Sequence, residues 1–290
     1  FLMKYKSCKH IENSLYIAPN EIRACCQRFF YNGKIRGDAK LIDLAKNQNP
    51  SEINLRDARA KMLDNLQNDE IDACKGCNLI YEKETKTKPT SKVKFLSIEQ
   101  HSICNLRCTY CSPVYYGGIK SQYSVVDFIK KLETRGDLND IEGVVWGGGE
   151  PTIDKSFAEI METIKSKIDK NIYHRIFTNS VRYNPVLQEY LDNDMVSITT
   201  SIDAGNREQF KKIRGRDRFN EVFENLSKYA KNRPSRVTIK YILTEENSSI
   251  YELEQFIDNS KKFNLQKCCF QISTNFKNEI LTDELMFSVV

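Results

Sequence analysis

Three cysteines lie close together in the segment CNLRCTYC, at Cys104, Cys108 and Cys111. Their C-x3-C-x2-C spacing places three thiolates on one tight loop, where they can bind three irons of a four-iron, four-sulfur cluster and leave the fourth iron open. The alternative is a zinc site or three buried structural cysteines. Structural zinc sites usually have four protein ligands, and no fourth Cys or His follows this loop nearby, so the spacing favours the cluster.

A second group of cysteines precedes residue 78. It has the pattern C, CC and CKGC, and the final C-x2-C pair has a spacing that is common for binding a metal or a cluster. Ten cysteines in a cytoplasmic protein are not expected to form disulfides, so we expect two metal sites. A zinc ribbon is the alternative for this group, and Cys268 and Cys269 are predicted to be small buried hydrophobic residues. The second group consists of Cys8, Cys25, Cys26, Cys74 and Cys77.

Polar and glycine-rich segments follow several predicted strands. One of them has three consecutive glycines, which let a backbone approach a ligand closely. Its spacing is not G-x-G-x-x-G, so a nucleotide-phosphate loop is disfavoured. Taken singly, each segment is an ordinary turn or polar strand end. The segments are WGGGEP at 146–151, TNS at 178–180, TTSIDA at 199–204 and KKIRG at 211–215.

These segments need a scaffold that brings strand ends together. From residue 93 onward, short β-branched or aromatic runs alternate with amphipathic stretches, a pattern that predicts parallel βα units. Six units form about three-quarters of a TIM barrel, in which reactive groups lie at the C-terminal ends of the strands. The predicted strands are 93–100, 141–146, 173–178, 195–202, 236–243 and 267–273, and the predicted helices are 124–134, 156–169, 185–192, 219–231 and 249–263.

The chain before the barrel has a different character. Residues 1–81 are rich in turns and cysteines, with one helix predicted at 55–67, and the Lys-rich residues 82–92 are predicted to be a solvated linker. The sequence therefore predicts an α/β fold with a small Cys-rich module at 1–81 and a partial TIM barrel at 93–290. No strand is predicted after about residue 275. We therefore expect a truncated chain that lacks the elements that would cover a substrate.

The charged residues favour a protein that binds neither nucleic acid nor membrane. Lys and Arg number 44 against 39 Asp and Glu, and the basic residues are scattered rather than gathered in one patch. No window approaches the roughly eighteen apolar residues that span a bilayer. We therefore expect a soluble, cytoplasmic protein.

The order and spacing of the motifs over residues 93–275 resemble the radical S-adenosylmethionine (radical SAM) superfamily. The resemblance includes Tyr110 between the last two cysteines of the loop. It implies that S-adenosylmethionine binds the open iron, and that its reductive cleavage yields a 5′-deoxyadenosyl radical that abstracts hydrogen from the substrate.

The resemblance also implies roles for the polar strand ends. Gly148, Gly149, Glu150 and Pro151 match the element that holds the amino group of the cofactor's methionine half. Asn179 matches the Asn of the usual TNG, with Ser180 in place of its Gly. Ser201 and Asp203 match an S-x-D element near the ribose, and Arg214 matches an arginine that can pair with the cofactor carboxylate.

The N-terminal cysteines resemble the SPASM or twitch module, which carries an auxiliary cluster in radical SAM enzymes. The resemblance implies a second four-iron cluster on Cys8, Cys25, Cys74 and Cys77, with Cys26 spare. Here the module precedes the barrel, and Asn20 stands where glycine is usual. Asn tolerates the left-handed conformation, so the turn can persist. Four thiolate ligands would leave no iron free to bind substrate, so the cluster would serve electron transfer or structural support. Three ligands would leave one iron free to bind substrate.

The sequence thus predicts a radical SAM enzyme that modifies a peptide, protein or sugar-like substrate at carbon, with net oxidation assisted by the auxiliary cluster. An electron donor such as flavodoxin or ferredoxin is the expected partner. The alternatives are a non-catalytic iron-sulfur or zinc protein and a methyl transferase. The motifs do not identify a catalytic acid or base. Residues that could reach a barrel mouth are Glu99, His101, Tyr115, Tyr116 and Tyr241.

Overall fold

The computed structural model describes residues 4–44, 50–111, 118–168 and 171–274. It confirms the predicted α/β class, with a large, mostly parallel sheet. The described residues form two compact units. The first comprises the chain up to His101 together with Lys120–Val145 and Ala158–Tyr173, and the second comprises Ser102–Ile119, Trp146–Phe157 and the chain from His174 onward.

In the first unit, the N-terminal segment supplies strands to the sheet. Its strands have the order β9-β8-β2-β3-β6, and β2 pairs in parallel with β8 from Ser14 and Phe95 to Ile17 and Ile98. Two short antiparallel pairs, β1 with β7 and β4 with β5, lie apart from it. The strands are β1 Tyr5–Ser7, β2 Ser14–Ile17, β3 Glu21–Arg23, β4 Arg28–Tyr31, β5 Lys34–Gly37, β6 Lys40–Asp43, β7 Tyr81–Lys83, β8 Phe95–Ile98 and β9 Gly143–Trp146.

Helix α2 has the predicted bounds, Leu55–Gln67. The side chain of Asn54 caps its first turn, accepting hydrogen bonds from the amides of Arg56 and Asp57. Arg59 on this helix is fully buried and donates to the carbonyl oxygens of Thr90 (2.8 Å), Lys92 (2.7 Å) and Ser14 (3.1 Å). The other helices of the unit are α1 Lys9–Asn13, α3 Val125–Thr134 and α4 Phe157–Lys165.

The second unit consists of parallel βα repeats. Its strands have the order β13-β12-β11-β10, and all three neighbouring pairs are parallel. Together with β8 and β9 of the first unit, these four strands make up the six predicted barrel strands. The five helices predicted between the barrel strands are also present. Helix α6 was not predicted. The elements are β10 Tyr173–Phe177, β11 Ser197–Ser201, β12 Val237–Leu243, β13 Cys269–Thr274, α5 Pro185–Asp192, α6 Arg207–Arg214, α7 Phe219–Ala230 and α8 Ile250–Lys262.

The division into a module at 1–81, a linker at 82–92 and a barrel at 93–290 stays a prediction. Of the C-terminal cysteines, Cys268 is buried as predicted, but Cys269 is exposed, because β13 is the last strand in the sheet order and its neighbouring residues face opposite sides. Within the described ranges, no helix combines the length and apolar character needed to cross a membrane.

Candidate functional site

The loop that carries Cys104, Cys108 and Cys111 is fixed by hydrogen bonds to the end of helix α6. The amide of Arg107 donates to the carbonyl oxygen of Arg214 (3.0 Å), and the amide of Thr109 donates to that of Ile213 (2.8 Å). The loop also folds on itself, since the Leu106 amide lies 3.4 Å from the Cys104 Sγ. Cys108 is buried and the other two cysteines are half-buried, so all three are at least partly shielded from solvent.

The glycine run after β9 packs directly on this loop. A Cβ atom on Gly149 would lie 2.2 Å from the carbonyl oxygen of Ile103, and the next amide, that of Glu150, donates to the same oxygen at 2.8 Å. Gly148 has a φ of +85°, which favours glycine. Gly147, by contrast, has open space around it. The sequence therefore needs glycine at 148 and 149 for different reasons, backbone conformation and close approach.

The Glu150 carboxylate is fully buried and ties two strand ends together. One oxygen accepts from the hydroxyls of Thr152 (2.6 Å) and Thr178 (2.7 Å), and the other accepts from the Asn179 amide (2.6 Å). Burial raises the pKa of Glu150, and these hydrogen bonds oppose the rise. The side chain is therefore occupied within the protein, and a cofactor would meet the backbone of this segment rather than the carboxylate.

The segment after β10 reaches the cysteine loop through Asn179. Its Nδ2 donates to Asn105 Oδ1 (2.6 Å) and lies 3.5 Å from the Cys104 Sγ. Ser180 has a φ of +56°, which explains why glycine is usual at this position. Its hydroxyl bonds to that of Thr200 at 2.7 Å. The predicted polar residues after β10 thus contact the predicted cluster ligand and the next strand.

Tyr110, Asp203 and Arg214 form one hydrogen-bonded cluster, in which Asp203 and Arg214 are buried and Tyr110 is half-buried. The Tyr110 hydroxyl donates to Asp203 Oδ2 at 2.5 Å, and Arg214 Nη1 donates to the same oxygen at 2.8 Å and to the Tyr110 hydroxyl. Burial raises the pKa of Tyr110. Burial alone would lower the pKa of the Arg214 guanidinium, but its neighbours Tyr110, Cys108 and Asp203 raise it above its ordinary value. Three predicted cofactor residues are therefore bonded to one another.

Asn247 is a site residue that the sequence reasoning missed. It is fully buried, and its Nδ2 donates to the carbonyl oxygens of Asp203 (2.9 Å) and Ile242 (2.8 Å). The Ile242 amide in turn donates to Asp203 Oδ1 at 2.7 Å. These bonds hold Asp203 in its left-handed conformation at the end of β11, beside the predicted residue Ser201. An Asn in the turn after β12 was the available signal.

The N-terminal cysteines lie near one another in the first unit. Cys8 is buried, and Cys25 and Cys74 pack against the same apolar cluster. Burial raises the pKa of Cys74 to about 12, and three nearby thiols contribute to the rise. These are Cys25, Cys8 and Cys77.

Two other residues of this segment differ in their surroundings. Cys26 is exposed, with Cys25, Asp38 and Arg23 as charged or titratable neighbours. Asn20 does not have a positive φ, unlike Asn32 and Asp38 further along, so its turn does not use the left-handed conformation that was expected. The turn therefore has no need of glycine at this position.

The donor sets suit iron-sulfur clusters. Among the described residues, no three Cys, His, Asp or Glu side chains close around a single metal ion. The thiolates of a four-iron cluster bind different irons and need not converge on one point. Three thiols on the loop after β8 and four in the N-terminal segment fit two such clusters. The assignment of these ligands, and of the cofactor residues, stays a prediction.

Three of the five residues predicted to reach a barrel mouth, Glu99, His101 and Tyr241, are buried in the structure. Glu99 is buried and accepts a hydrogen bond from the Tyr16 hydroxyl, and burial raises its pKa. The Tyr241 hydroxyl donates to the Asn247 carbonyl oxygen at 2.8 Å, so it is a packing group. His101 is buried. Tyr115 and Tyr116 lie outside the described residues.

Comparison with known families gives one match. The sequence model of the family described as Radical SAM superfamily matches residues 98–257, more than half of the chain. The matched range includes the cysteine loop and the polar ends of β9, β10 and β11.

Solved structures of two proteins match this chain, and SuiB matches with a TM-score that indicates a similar fold. SuiB of Streptococcus suis bound to its precursor peptide SuiA matches at 12% identity and a TM-score of 0.50, over 94% of this chain and 63% of that chain. SuiB bound to S-adenosylmethionine matches at 12% identity and a TM-score of 0.50, over 78% and 55%. The protein anSMEcpe with bound AdoMet and Cp18Cys peptide matches at 20% identity and a TM-score of 0.49, over 66% and 54%. The chain thus spans less than two thirds of each of these structures.

Proposed function

This chain belongs to the radical SAM superfamily, and from that premise we propose that it cleaves S-adenosylmethionine at a four-iron cluster on Cys104, Cys108 and Cys111. When bound, cluster and cofactor would supply a 5′-deoxyadenosyl radical for hydrogen abstraction from a substrate carbon. The observation that carries the proposal is the packing of Gly149 and Asn179 on the cysteine loop. Asn179 Nδ2 lies 3.5 Å from the Cys104 Sγ, so the polar strand ends and the thiols share one site.

The cofactor's polar groups have matching partners at this site. The space beside Gly147 is open, so a ligand could approach the glycine run from there and meet backbone N–H and C=O groups of the segment that are not already bonded to Ile103. Ser201 ends β11 and Asn179 follows the neighbouring strand β10, and both would face the rest of the cofactor. Glu150 would act indirectly, by holding Thr178 and Asn179 in place through its buried hydrogen bonds.

The N-terminal cysteines would hold a second four-iron cluster. Support comes from the mutual proximity of Cys8, Cys25, Cys74 and Cys77 and from the exposure of Cys26. Four thiolates leave no iron open, so this cluster could not bind the substrate directly. Its role would be to accept an electron from the substrate radical. The net reaction would then be an oxidation of the substrate.

A peptide is the substrate class that we propose. SuiB, which has a similar fold, is described in complex with a precursor peptide. A reductant protein of the flavodoxin or ferredoxin type would supply the electron that starts each turnover.

The proposal is tested by anaerobic reconstitution with iron and sulfide. About eight irons per chain are expected for two clusters, and about four in a Cys104→Ala, Cys108→Ala, Cys111→Ala variant. The electron paramagnetic resonance signal of the reduced protein should change when S-adenosylmethionine is added, and the variant should show no such change. Tightly bound zinc, with no cofactor-sensitive signal in the parent protein, would rule the proposal out.

A further inference from the structure

A buried cation lies beside the cysteine loop and is held there by the protein itself. We propose that Arg214 is the counter-charge of the cluster on this loop and keeps its reduction potential less negative than the three thiolates alone would set it. The inference rests on the proposed function, because it needs a cluster on Cys104, Cys108 and Cys111. It assigns to Arg214 a positioning and tuning role that does not require contact with the cofactor.

The backbone fixes where Arg214 lies relative to the loop. Its carbonyl oxygen accepts the Arg107 amide at 3.0 Å, and that of Ile213 accepts the Thr109 amide at 2.8 Å. Helix α6 ends at Arg214 and is capped by Gly215, whose φ is +69°. A Cβ atom there would lie 2.3 Å from the carbonyl oxygen of Arg107. The end of α6 and the cysteine loop are therefore in direct backbone contact.

The guanidinium is committed to protein partners. Arg214 is 5% exposed, and its Nη1 already donates to Asp203 and to the Tyr110 hydroxyl. Its Nε is buried without a hydrogen-bond partner in the described structure. The other carboxylate oxygen of Asp203 accepts a hydrogen bond from the Ile242 amide. The anion is thus anchored to the neighbouring strand β12, whereas the cation is anchored to the helix end that contacts the loop.

The guanidinium lies beside the loop residue Tyr110, which stands between Cys108 and Cys111. Its central carbon is 5.7 Å from the centre of the Tyr110 ring, and its Nη1 donates to the Tyr110 hydroxyl. An arginine keeps its charge at any pH at which proteins are folded. In a buried site of low dielectric, such a charge acts strongly over a few ångströms.

Reduction of the cluster adds one negative charge beside this cation. A fixed positive charge stabilises the more negative state, so it makes reduction easier and raises the potential. Removing the charge should therefore make the cluster harder to reduce, before any cofactor or substrate is present.

The test is a redox titration without S-adenosylmethionine, followed by electron paramagnetic resonance. The loop cluster is identified in parallel samples as the signal that changes when the cofactor is added. Arg214→Gln should shift its midpoint potential to a more negative value, whereas Arg214→Lys, which keeps the charge, should stay near the parent. The matched control is Arg207→Gln on the first turn of α6, where Arg207 is exposed and paired with Asp217, and no shift is expected.

Two results would overturn the inference: a parent-like potential in Arg214→Gln, or equal shifts in the Gln and Lys variants. Equal shifts would mean that only the shape of the arginine matters. If Arg214→Gln fails to fold because Asp203 is left unpaired, the double variant Arg214→Gln, Asp203→Asn is compared with Asp203→Asn alone, because these two differ only in the charge of Arg214. A more negative potential in the double variant supports the inference, and equal potentials contradict it. Failure of the proposed function is distinct, since the parent would then lack the cofactor-sensitive signal.

Discussion

Gly149 contacts the backbone of Ile103 so closely that no side chain fits between them. A Cβ atom would lie 2.2 Å from the Ile103 carbonyl oxygen and 2.7 Å from its amide nitrogen. The two residues belong to the segments after β9 and β8, so their contact sets the distance between the glycine run and the cysteine loop.

We predict that Gly149→Ala displaces the cysteine loop and lowers its iron content by about half of the total, because four of eight irons belong to it. Gly147→Ala is the matched control, since nothing lies within 4 Å of a Cβ atom there. Iron per chain after reconstitution, with a thermal melt of each variant, checks this. Equal iron content in the two variants would contradict the packing argument.

The adjacent cysteines Cys25 and Cys26 should behave differently. Cys25 lies near Cys8 and Cys74, whereas Cys26 is exposed beside Asp38. We expect Cys25→Ala to lose most of the N-terminal cluster, about four irons, and Cys26→Ala to keep it. Iron and sulfide analysis of both variants decides the matter. Loss of iron in Cys26→Ala alone would reverse the ligand assignment.

Ser180 combines a strained backbone with a useful hydroxyl. Its φ is +56°, and its hydroxyl bonds to the buried Thr200. Ser180→Ala keeps the strain and loses the bond, so we expect a loss of about 1–2 kcal/mol in the free energy of unfolding. Ser180→Gly loses the bond but relieves the strain, which costs a residue other than glycine about 1–2 kcal/mol. Urea denaturation should therefore find Ser180→Gly close to the parent in stability and Ser180→Ala below both, and an Ala variant as stable as the Gly variant would be inconsistent with this strain.

The buried His174 should make stability depend on pH. It is 3% exposed, its Nε2 accepts from the Trp146 indole at 3.0 Å, and burial lowers its pKa from 6.5 to about 4. The unfolded chain takes up a proton below pH 6.5 that the folded chain does not accept until about pH 4. The free energy of unfolding therefore falls by about 3 kcal/mol as the pH drops from 6.5 to about 4, at 1.36 kcal/mol per pKa unit.

His174→Gln keeps a hydrogen-bond acceptor for Trp146 but does not titrate, so this part of the pH dependence should disappear. Trp146 is the sole tryptophan of the chain, and its fluorescence during urea unfolding at several pH values provides the measurement. His10→Gln, at a half-buried position, is the control and should retain most of the loss. Identical pH profiles for the parent and His174→Gln would show that His174 does not cause the loss.

Much of the fold was predictable from local patterns. The strands β8 to β13 are β-branched or aromatic runs, and α2 begins at an Asn cap with apolar residues at helical spacing. The strands of the N-terminal segment were missed because they are three or four residues long and most of them follow one another without a long helix between them. The equally short β8 and β9 belong to the alternation of strands and helices that predicted the barrel. Helix α6 was missed because it is short and mostly charged, with Phe210 and Ile213 as its buried apolar residues.

The candidate site was predictable as a set of residues but not as a set of contacts. The family resemblance pointed to Tyr110, Asp203 and Arg214 one at a time. Their hydrogen bonds join positions up to 104 residues apart, which depend on how the strands and α6 pack. Asn247 was marked only as an Asn in the turn after β12, and its role follows from its hydrogen bond to the turn at Asp203.

The central claim is that a cluster on the loop after β8 cleaves S-adenosylmethionine. The most direct test measures 5′-deoxyadenosine by mass spectrometry after adding dithionite and the cofactor to reconstituted protein. The parent and a Cys268→Ala control should form it, and the variant with Cys104, Cys108 and Cys111 replaced by Ala should form none. No 5′-deoxyadenosine from fully reconstituted parent protein, or equal amounts from the triple variant, would contradict the account.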